Sequence, residues 1–113
     1  MSTLTTMTMT TFNVSLGDRI GAIQIVNVGF GSPATNQEIV IDAAEGFRAI
    51  AKQLHGTVIA INGAASLIAA LAIAHEVAHI TKAVAAYDPK LSKYVVAISH
   101  DSTYKVGSTL PLA

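Results

Sequence analysis

Residues 57–79 read TVIAINGAASLIAALAIAHEVAH, and the change of composition within this stretch decides the fold class. The first five residues are mostly β-branched, whereas Ala and Leu dominate after Asn62-Gly63. This pattern predicts a buried strand over 57–61, a tight turn, and a buried helix over 64–79. Residues 56–74 carry no charge and reach membrane-spanning length, but the central turn and the lack of polybasic flanks favour a soluble, cytoplasmic protein.

The pattern of strands and helices continues on both sides of this stretch. Residues 34–41 fit either a strand or a helix, and Asp42, followed by Glu45, predicts the cap of a helix that ends near residue 54. The order β-β-α-β-α-β-β predicts a single α/β domain, ferredoxin-like or Rossmann-like, with a mixed sheet and both helices on one face. The predicted segments are a disordered Thr- and Met-rich tail (1–11), a domain over 12–113, a hairpin (12–16 and 20–28 around a turn at 17–19), two later strands (82–87 and 94–99) and a short terminal strand (103–108).

The overall composition is neutral and apolar. Of the 113 residues, 51% are hydrophobic and 12% are charged, and seven basic side chains balance seven acidic ones. Such a chain is too apolar to be disordered, and it lacks the basic surface that holds long DNA or RNA by counterion release. The absence of cysteine excludes disulfides, thiolate metal sites and cysteine nucleophiles. So few charges on so small a domain predict an oligomer, or a domain that closes around a ligand.

The helix predicted over 64–79 is apolar on two sides. One small sheet can cover only one of them, so we expect the other side to face a ligand or a partner subunit. The helical wheel places Leu67, Leu71, Ala74 and Ala78 towards the sheet, and Ala65, Ile68, Ala72, His75 and His79 on the other side.

The end of this helix spells H-E-x-x-H, from His75 to His79. In zinc metalloproteases this spacing supplies two metal ligands and a general base. A strand follows the motif at once, where a third ligand should lie on a helix or a turn, and the chain is short for a peptide cleft. A small zinc metalloprotein therefore remains the less favoured alternative, beside two buried histidines with ordinary hydrogen bonds.

Further polar residues follow the strands. The turn at Asn62, Gly63 and Ser66 precedes a helix, where free backbone N–H groups can bind a phosphate. Asp88 ends the fourth strand, and His100 directly follows the fifth. Asp88 before a proline also fits a simple turn. Strand and helix ends of small α/β folds often converge on one edge, so we expect these residues to lie there together.

Residues 56–100, GTVIAINGAASLIAALAIAHEVAHITKAVAAYDPKLSKYVVAISH, resemble the conserved half of the CRISPR-associated Csx-three family, the small ring nucleases of type III CRISPR systems. The shared pattern is a G-x-V-I-x-x-x-G strand and turn, an A-H-x-x-A-H helix end, then Y-D-P-K/R-L and a strand ending in S-H. The resemblance extends over about half of the chain, to Gly107. The amino-terminal half is similar only as a β-β-α pattern.

This resemblance implies a specific activity. Family members bind cyclic tetra-adenylate, a second messenger, and cut it with Mn²⁺ (with Mg²⁺ as the alternative metal) to linear di-adenylates, which ends the antiviral signal. They also remove 3′ adenylates from RNA. Their fold is ferredoxin-like, and homodimers form a dimer of dimers around the ring. No DNA or membrane partner is implied.

The resemblance also implies roles for individual residues. His79 corresponds to the essential helix-end histidine, and Asp88 to the carboxylate associated with the metal and with catalysis. His75 and His100 match further histidines, and Asn62, Gly63 and Ser66 fall on the ligand-facing turn. Many relatives carry a basic residue near this turn, and this chain has none.

These residue types suit phosphodiester cleavage. A metal ion on Asp88 would neutralise charge during in-line displacement, and His79 would act as general acid or base with His75 orienting it. If facing dimers build one site, activity should rise steeply with protein concentration. A non-catalytic sensor or sponge for the cyclic nucleotide is the main alternative, and a purely structural oligomer is another.

Overall fold

A five-stranded mixed sheet forms the centre of the structure. The computed structural model describes residues 10–112. The strands lie side by side in sequence order, with the three central strands parallel and each outer strand antiparallel to its neighbour. The predicted mixed α/β domain is confirmed. In chain order the elements are β1 (Phe12–Ile20), β2 (Ile23–Phe30), α1 (Asn36–Leu54), β3 (Val58–Gly63), α2 (Leu67–Val77), β4 (Ala83–Asp88) and β5 (Lys93–Ser99).

Both helices lie on one face of the sheet because both crossovers run in the same direction. β2-α1-β3 and β3-α2-β4 each join neighbouring parallel strands, and such connections are right-handed. Two right-handed crossovers that move the same way across a sheet place their helices on the same side. Side chains from both helices accordingly share one buried cluster with the sheet, including Phe47, Ile73 and Val77. The predicted placement of the helices is confirmed.

The other face of the sheet is covered by the chain that follows β5. Leu110 belongs to a second buried cluster on this face, and its N–H donates to the carbonyl of Tyr94 at 2.9 Å. Backbone hydrogen bonds and an isolated bridge at Thr109 join this segment to β5, and residues 103–108 form turns and no strand. The strand predicted over 103–108 is therefore wrong. The carboxylate of Asp101 accepts the Thr103 N–H at 2.9 Å and holds the chain in a turn instead.

The hairpin turn lies later than its sequence suggests. β1 continues through the predicted turn at 17–19 and ends at Ile20, so that prediction is wrong. A bulge between Leu16 and Arg19 accommodates Gly17-Asp18 within the strand. The chain reverses at Gly21, whose φ of +60° suits glycine.

Helix α1 begins earlier than predicted. Its N-cap is Thr35, whose hydroxyl accepts the Glu38 N–H at 3.3 Å, while the Glu38 carboxylate accepts the Thr35 N–H at 3.1 Å. This reciprocal pair is a capping box, and it satisfies two backbone donors that the helix leaves unpaired. The residues 34–41, which fitted either element, are therefore mainly helical. The cap predicted at Asp42 is wrong.

Asp42 instead fixes the chain that leads into β1. Its carboxylate accepts the backbone N–H and the hydroxyl of Thr11 at 2.8 and 2.7 Å, and these hydrogen bonds lower the pKa of Asp42. Thr10 also bonds to the loop after β2, through its carbonyl and the Ser32 N–H. The last two residues of the predicted tail thus pack on the domain, and its residues 1–9 lie outside the described part of the chain.

Helix α2 is shorter than predicted. Ser66 is its N-cap and accepts the Ala69 N–H at 3.2 Å, and the helix ends at Val77. His79 therefore lies in the turn after the helix. Within residues 10–112, no helix is both long and apolar enough to span a bilayer.

The orientation of α2 differs from the prediction. Ala69, Ile73 and Val77 are buried against the sheet and α1. Leu67 and Leu71, which the wheel placed towards the sheet, are 77% and 65% exposed, so that assignment is wrong. Both sides of the helix are apolar, and the hydrophobic pattern alone therefore does not distinguish the packed side from the free one.

Gly63 ends β3 against the backbone of β2. Its φ is +135°, and a Cβ atom at this position would overlap the carbonyl oxygen of Val28. Val28 is also its register partner in the parallel pair. Only glycine satisfies both the backbone angle and the close approach.

One ion pair joins the two helices. The Arg48 guanidinium donates to both carboxylate oxygens of Glu76, at 3.3 and 2.8 Å. These hydrogen bonds hold the pKa of Glu76 below its ordinary value. Arg48 is largely exposed, so the pair orients α2 on α1 more than it stabilises the fold.

We expect Gly63→Ala to lower the free energy of unfolding by at least about 3 kcal/mol, because it combines a disfavoured φ with a backbone clash. Urea unfolding would measure this loss. Gly29→Ala is the matched control, since its φ is not positive and its Cβ would meet nothing within 4 Å. Equal stability of the two variants would contradict the close approach.

We expect Glu76→Gln to lower the urea midpoint slightly at pH 7. Because the pKa of Glu76 is depressed in the folded state, its contribution to stability is present above the unfolded pKa and is lost as the pH falls through the folded pKa. The difference between wild type and variant should therefore vanish in acid. In an Arg48→Gln background, Glu76→Gln should have no further effect at pH 7, and a persisting loss there would refute the pairing.

Candidate functional site

The predicted site residues lie at two opposite edges of the sheet. The Asp88 edge, where the parallel strands end, carries Asn62, Gly63 and Asp88; the histidine edge, where they begin, carries His79 and His100. β4 has six residues, so its two ends are about 17 Å apart at ~3.3 Å per residue. His79 and Asp88 of one chain therefore do not reach the same phosphate.

The expected convergence on one edge is thus wrong for a single chain. The reason is strand direction. β5 runs antiparallel to β4, so its last residue, Ser99, pairs with Ala83 at the start of β4. His100, the next residue, therefore lies at the edge opposite Asp88.

The histidine edge brings two imidazole rings together. His79 lies in the turn after α2, and His100 directly follows β5. Their rings stack with centroids 6.1 Å apart and an interplanar angle of 26°. The backbone N–H of His100 donates to the backbone carbonyl of Lys82 at 2.8 Å. This bond fixes the backbone that carries the His100 ring. Both histidines are exposed, so a ligand can approach them from solvent.

Two further ionisable residues, Asp101 and His55, lie near this pair of rings along the backbone. The pKa of Asp101 is lowered chiefly by its hydrogen bonds from Thr103, so a carboxylate charge stands next to His100 in sequence at neutral pH. His55 is the C-cap of α1, and the next N–H, from Gly56, donates to the carbonyl of Ile80 at 2.8 Å. This bond brings the end of α1 beside the turn that holds His79.

His75 lies one helical turn before His79 and is exposed. The ring that stacks on His79 is that of His100, not that of His75. Within the described residues, the imidazole beside His79 is therefore that of His100. The orienting role of His75 stays a prediction.

The two carboxylate oxygens of Asp88 differ: one accepts a backbone hydrogen bond, and the other can still bind a ligand. Its Oδ1 atom accepts the Lys90 N–H at 2.8 Å, which closes the turn after β4. This is the simple Asp-Pro turn that the sequence also allowed. The Oδ2 atom accepts no hydrogen bond from residues 10–112. Lys90 in this loop and Lys93 at the start of β5 are both exposed, so the Asp88 edge carries positive charge as well.

The turn before α2 is built mainly by structural contacts. The side-chain amide of Asn62 donates to the Asn27 side-chain oxygen at 3.1 Å, across the β2–β3 pair. Gly63 is required by its close approach to Val28, and Ser66 caps α2. Asn62 is exposed, so its carbonyl oxygen can still meet a ligand.

No group of three or more His, Asp or Glu side chains that could hold a metal ion occurs within residues 10–112. Glu76, which would be the general base of the H-E-x-x-H motif, is paired with Arg48 instead. The zinc metalloprotein interpretation thus has no ligand set in this part of the chain. A hard divalent cation such as Mg²⁺ can be bound by a single carboxylate, here Asp88, when substrate phosphates and water supply its other ligands.

Three residues at these edges were not predicted from the sequence: Asn27, His55 and Lys90. Lys90 could have been predicted, because it lies two residues after Asp88 in the Y-D-P-K-L motif. Asn27 becomes visible only through the register of β2 on β3, and His55 only through the packing of α1 on the turn at Ile80.

Comparison with known proteins tests the resemblance. None of the curated proteins matches this chain. The model of one family, described as CRISPR-associated protein (Cas_csx3), matches residues 49–111, which is more than half of the chain. That range contains every predicted site residue from Asn62 to His100. The chain therefore belongs to this CRISPR-associated family.

Proposed function

We propose that this protein is a metal-dependent ring nuclease. It binds cyclic tetra-adenylate and hydrolyses its phosphodiesters to linear di-adenylates, which switches off type III CRISPR antiviral signalling. The observation that carries the proposal is that the matched range, residues 49–111, includes both His79 and Asp88. Loss of either residue would have favoured a sensor that only binds the ring.

The separation of the two edges supports a site shared between copies. Because His79 and Asp88 lie at opposite ends of β4, one copy would contribute its histidine edge and another its Asp88 edge. A ring nucleotide enclosed between these edges meets polar groups on both sides. This arrangement agrees with the low overall charge, since four phosphates need far fewer cations than a long nucleic acid.

The side chains suit the chemistry at each edge. An exposed histidine can take or give a proton near neutral pH, and His79 would act as general acid or base. The stacked ring of His100 restricts the orientations open to His79. At the other edge, Lys90, Lys93 and the amide of Asn62 would contact phosphate or base.

Asp88 is the candidate ligand for a divalent ion, Mn²⁺ or Mg²⁺, through its Oδ2 atom. When bound with the substrate, such an ion would neutralise the charge that builds on the phosphodiester. The Oδ1 atom keeps Asp88 in place through Lys90.

The primary test incubates purified protein with cyclic tetra-adenylate, with and without Mn²⁺, and separates the products by chromatography. Linear di-adenylates that form only with the metal support the proposal. Binding of an intact ring by folded protein assigns the chain to the sensor class instead and refutes the nuclease.

We expect His79→Ala and Asp88→Ala each to abolish cleavage, and a mixture of the two variants to recover part of it. A mixed pair retains one intact site, built from the His79 of one copy and the Asp88 of the other. Random mixing should restore roughly a quarter of the wild-type rate. Initial rates measured at constant total protein would check this.

Asp18→Ala is the control for Asp88→Ala, because it removes an exposed carboxylate from the β1 bulge, outside the matched range. It should leave the rate unchanged. If the mixture stays inactive while both single variants remain folded and bind the ring, the two residues do not act across copies.

We also expect the specific activity to rise with protein concentration, because the site is assembled by association. Dilution well below the dissociation constant of the assembly should lower the rate per chain by about tenfold or more. The measurement is the initial rate over a wide range of protein concentration, with the ring in excess. A rate strictly proportional to protein would place the complete site within a preformed unit.

A further inference from the structure

We propose that the free edge of β1 binds an extended, basic segment of another protein, which adds to the sheet as a further strand. Such a segment would pair with the backbone of residues 12–16 and place Lys or Arg side chains against Asp42 and Glu45 of α1. The inference concerns a part of the molecule that the proposed nuclease site does not use. It would stand if the chain proved to have another activity.

The chain covers one edge of its sheet and leaves the other open. Beside β5, the Val96 N–H donates to the carbonyl of Ser108, and the Gly107 N–H donates to the carbonyl of Val96, each at 2.8 Å. At the opposite edge, β1 is the outermost strand and is nine residues long. No residue within 10–112 pairs with its outer side. An open strand edge is a template for a further strand.

The backbone of β1 turns hydrogen-bonding groups to this open edge at alternate residues. The carbonyl of Thr11 accepts the Gly31 N–H at 3.0 Å, and the residues next to these, Phe12 and Phe30, are register partners. Hydrogen-bonded and non-hydrogen-bonded pairs alternate along an antiparallel ladder. The N–H and carbonyl groups of Phe12 and Val14 therefore point away from β2, and each residue offers one donor and one acceptor to an added strand.

A cleft of about 480 Å³ runs along this part of the edge. It is lined by Phe12 and Val14, which point towards the helices, and by Asn13 and Ser15, which point to the other face. Residues from both faces of a strand line one cleft when it lies beside the strand, and β2 occupies the other side. Gly46 lets α1 pack closely on Val14, so the helix forms one wall of the cleft.

The helix wall of the cleft is acidic. Asp42 and Glu45 line the cleft, and no basic side chain does. Asp42 accepts both hydrogen bonds from Thr11 through Oδ2, and its Oδ1 atom accepts none from the described residues. Arg48, one helical turn beyond Glu45, is already paired with Glu76. An added strand would therefore bind best with Lys or Arg on its helix-facing side.

These charges distinguish between the candidate occupants of the edge. Residues 1–9 precede Thr10 but carry no charged side chain, so they do not complement the carboxylates. A second copy that paired its β1 antiparallel about a two-fold axis would bring its own Asp42 and Glu45 towards the first pair, and like charges would meet. A nucleic acid would be repelled by the same carboxylates. A basic extended segment of a different protein satisfies both the backbone and the charges.

The test measures the binding of three fluorescent heptapeptides by anisotropy at low salt. TKVKVKT has Lys at alternate positions, TEVEVET reverses the charges, and the third is TKVKVKT methylated on its central backbone nitrogens. We expect only the first to bind, because the carboxylates of Asp42 and Glu45 repel the second and the third lacks donors for the β1 carbonyls. Equal binding of the first peptide and either of the others would overturn the proposal, and so would no binding at all.

Glu45→Lys reverses one charge in the cleft and should weaken the affinity for TKVKVKT about tenfold at low salt. Asp18→Lys is the matched control, because Asp18 is an exposed carboxylate on the same strand and does not line the cleft. Its affinity should stay within about twofold of the wild type. Circular dichroism would show that both variants are folded. An unchanged affinity of folded Glu45→Lys, or equal losses in the two variants, would overturn the proposal.

A second measurement uses the wild type and covers the case in which Glu45→Lys fails to fold. Amide hydrogen exchange, followed by nuclear magnetic resonance, reports on the N–H groups of Phe12 and Val14. Both should exchange rapidly in the free protein and slow by about tenfold or more with saturating TKVKVKT. Protection in the free protein at every concentration would assign the edge to residues 1–9, and protection that grows with protein concentration would assign it to a second copy. Either result would overturn the proposal.

Discussion

The direction of the two right-handed crossovers is the constraint on which the rest of this structure depends. Because β2, β3 and β4 are parallel and in sequence order, both helices must lie on one face and both must end where the next strand begins. The chain after α2, with His79, is thereby placed at the start of β4. Asp88 is placed at its end. The length of one strand separates the two residues on which phosphodiester chemistry would depend.

This separation affects the interpretation of the sequence motif that contains His79 and Asp88. The histidine and the carboxylate are close in sequence, yet a strand keeps them apart in space. If both residues act in the proposed reaction, one chain does not bring them to the same phosphate, and two copies would have to complete the site. The pairing of His79 with His100 strengthens this view, because the antiparallel β5 supplies the second imidazole to the same edge.

The order of the elements could be predicted from the sequence because each one has its own local signal. The β-branched run before Asn62 and the Ala/Leu run after it were sufficient for β3 and α2. The errors concerned the hairpin turn, the segment after β5, the cap of α1 and the packed side of α2. The box at Thr35 and Glu38 has the same form as the pattern at Asp42 and Glu45, and only the packing of Thr11 on Asp42 distinguishes them. The packed side of α2 was not predictable, because apolar residues surround that helix.

The site was harder to predict than the fold, because several of its residues also hold the structure together. Gly63 is required by the Val28 carbonyl, Ser66 by the first turn of α2, and Asp88 by the turn at Lys90. A sequence pattern shared by a family does not separate such structural needs from chemistry. His79 and His100 are more informative, because both rings are exposed and neither is needed to fill the core.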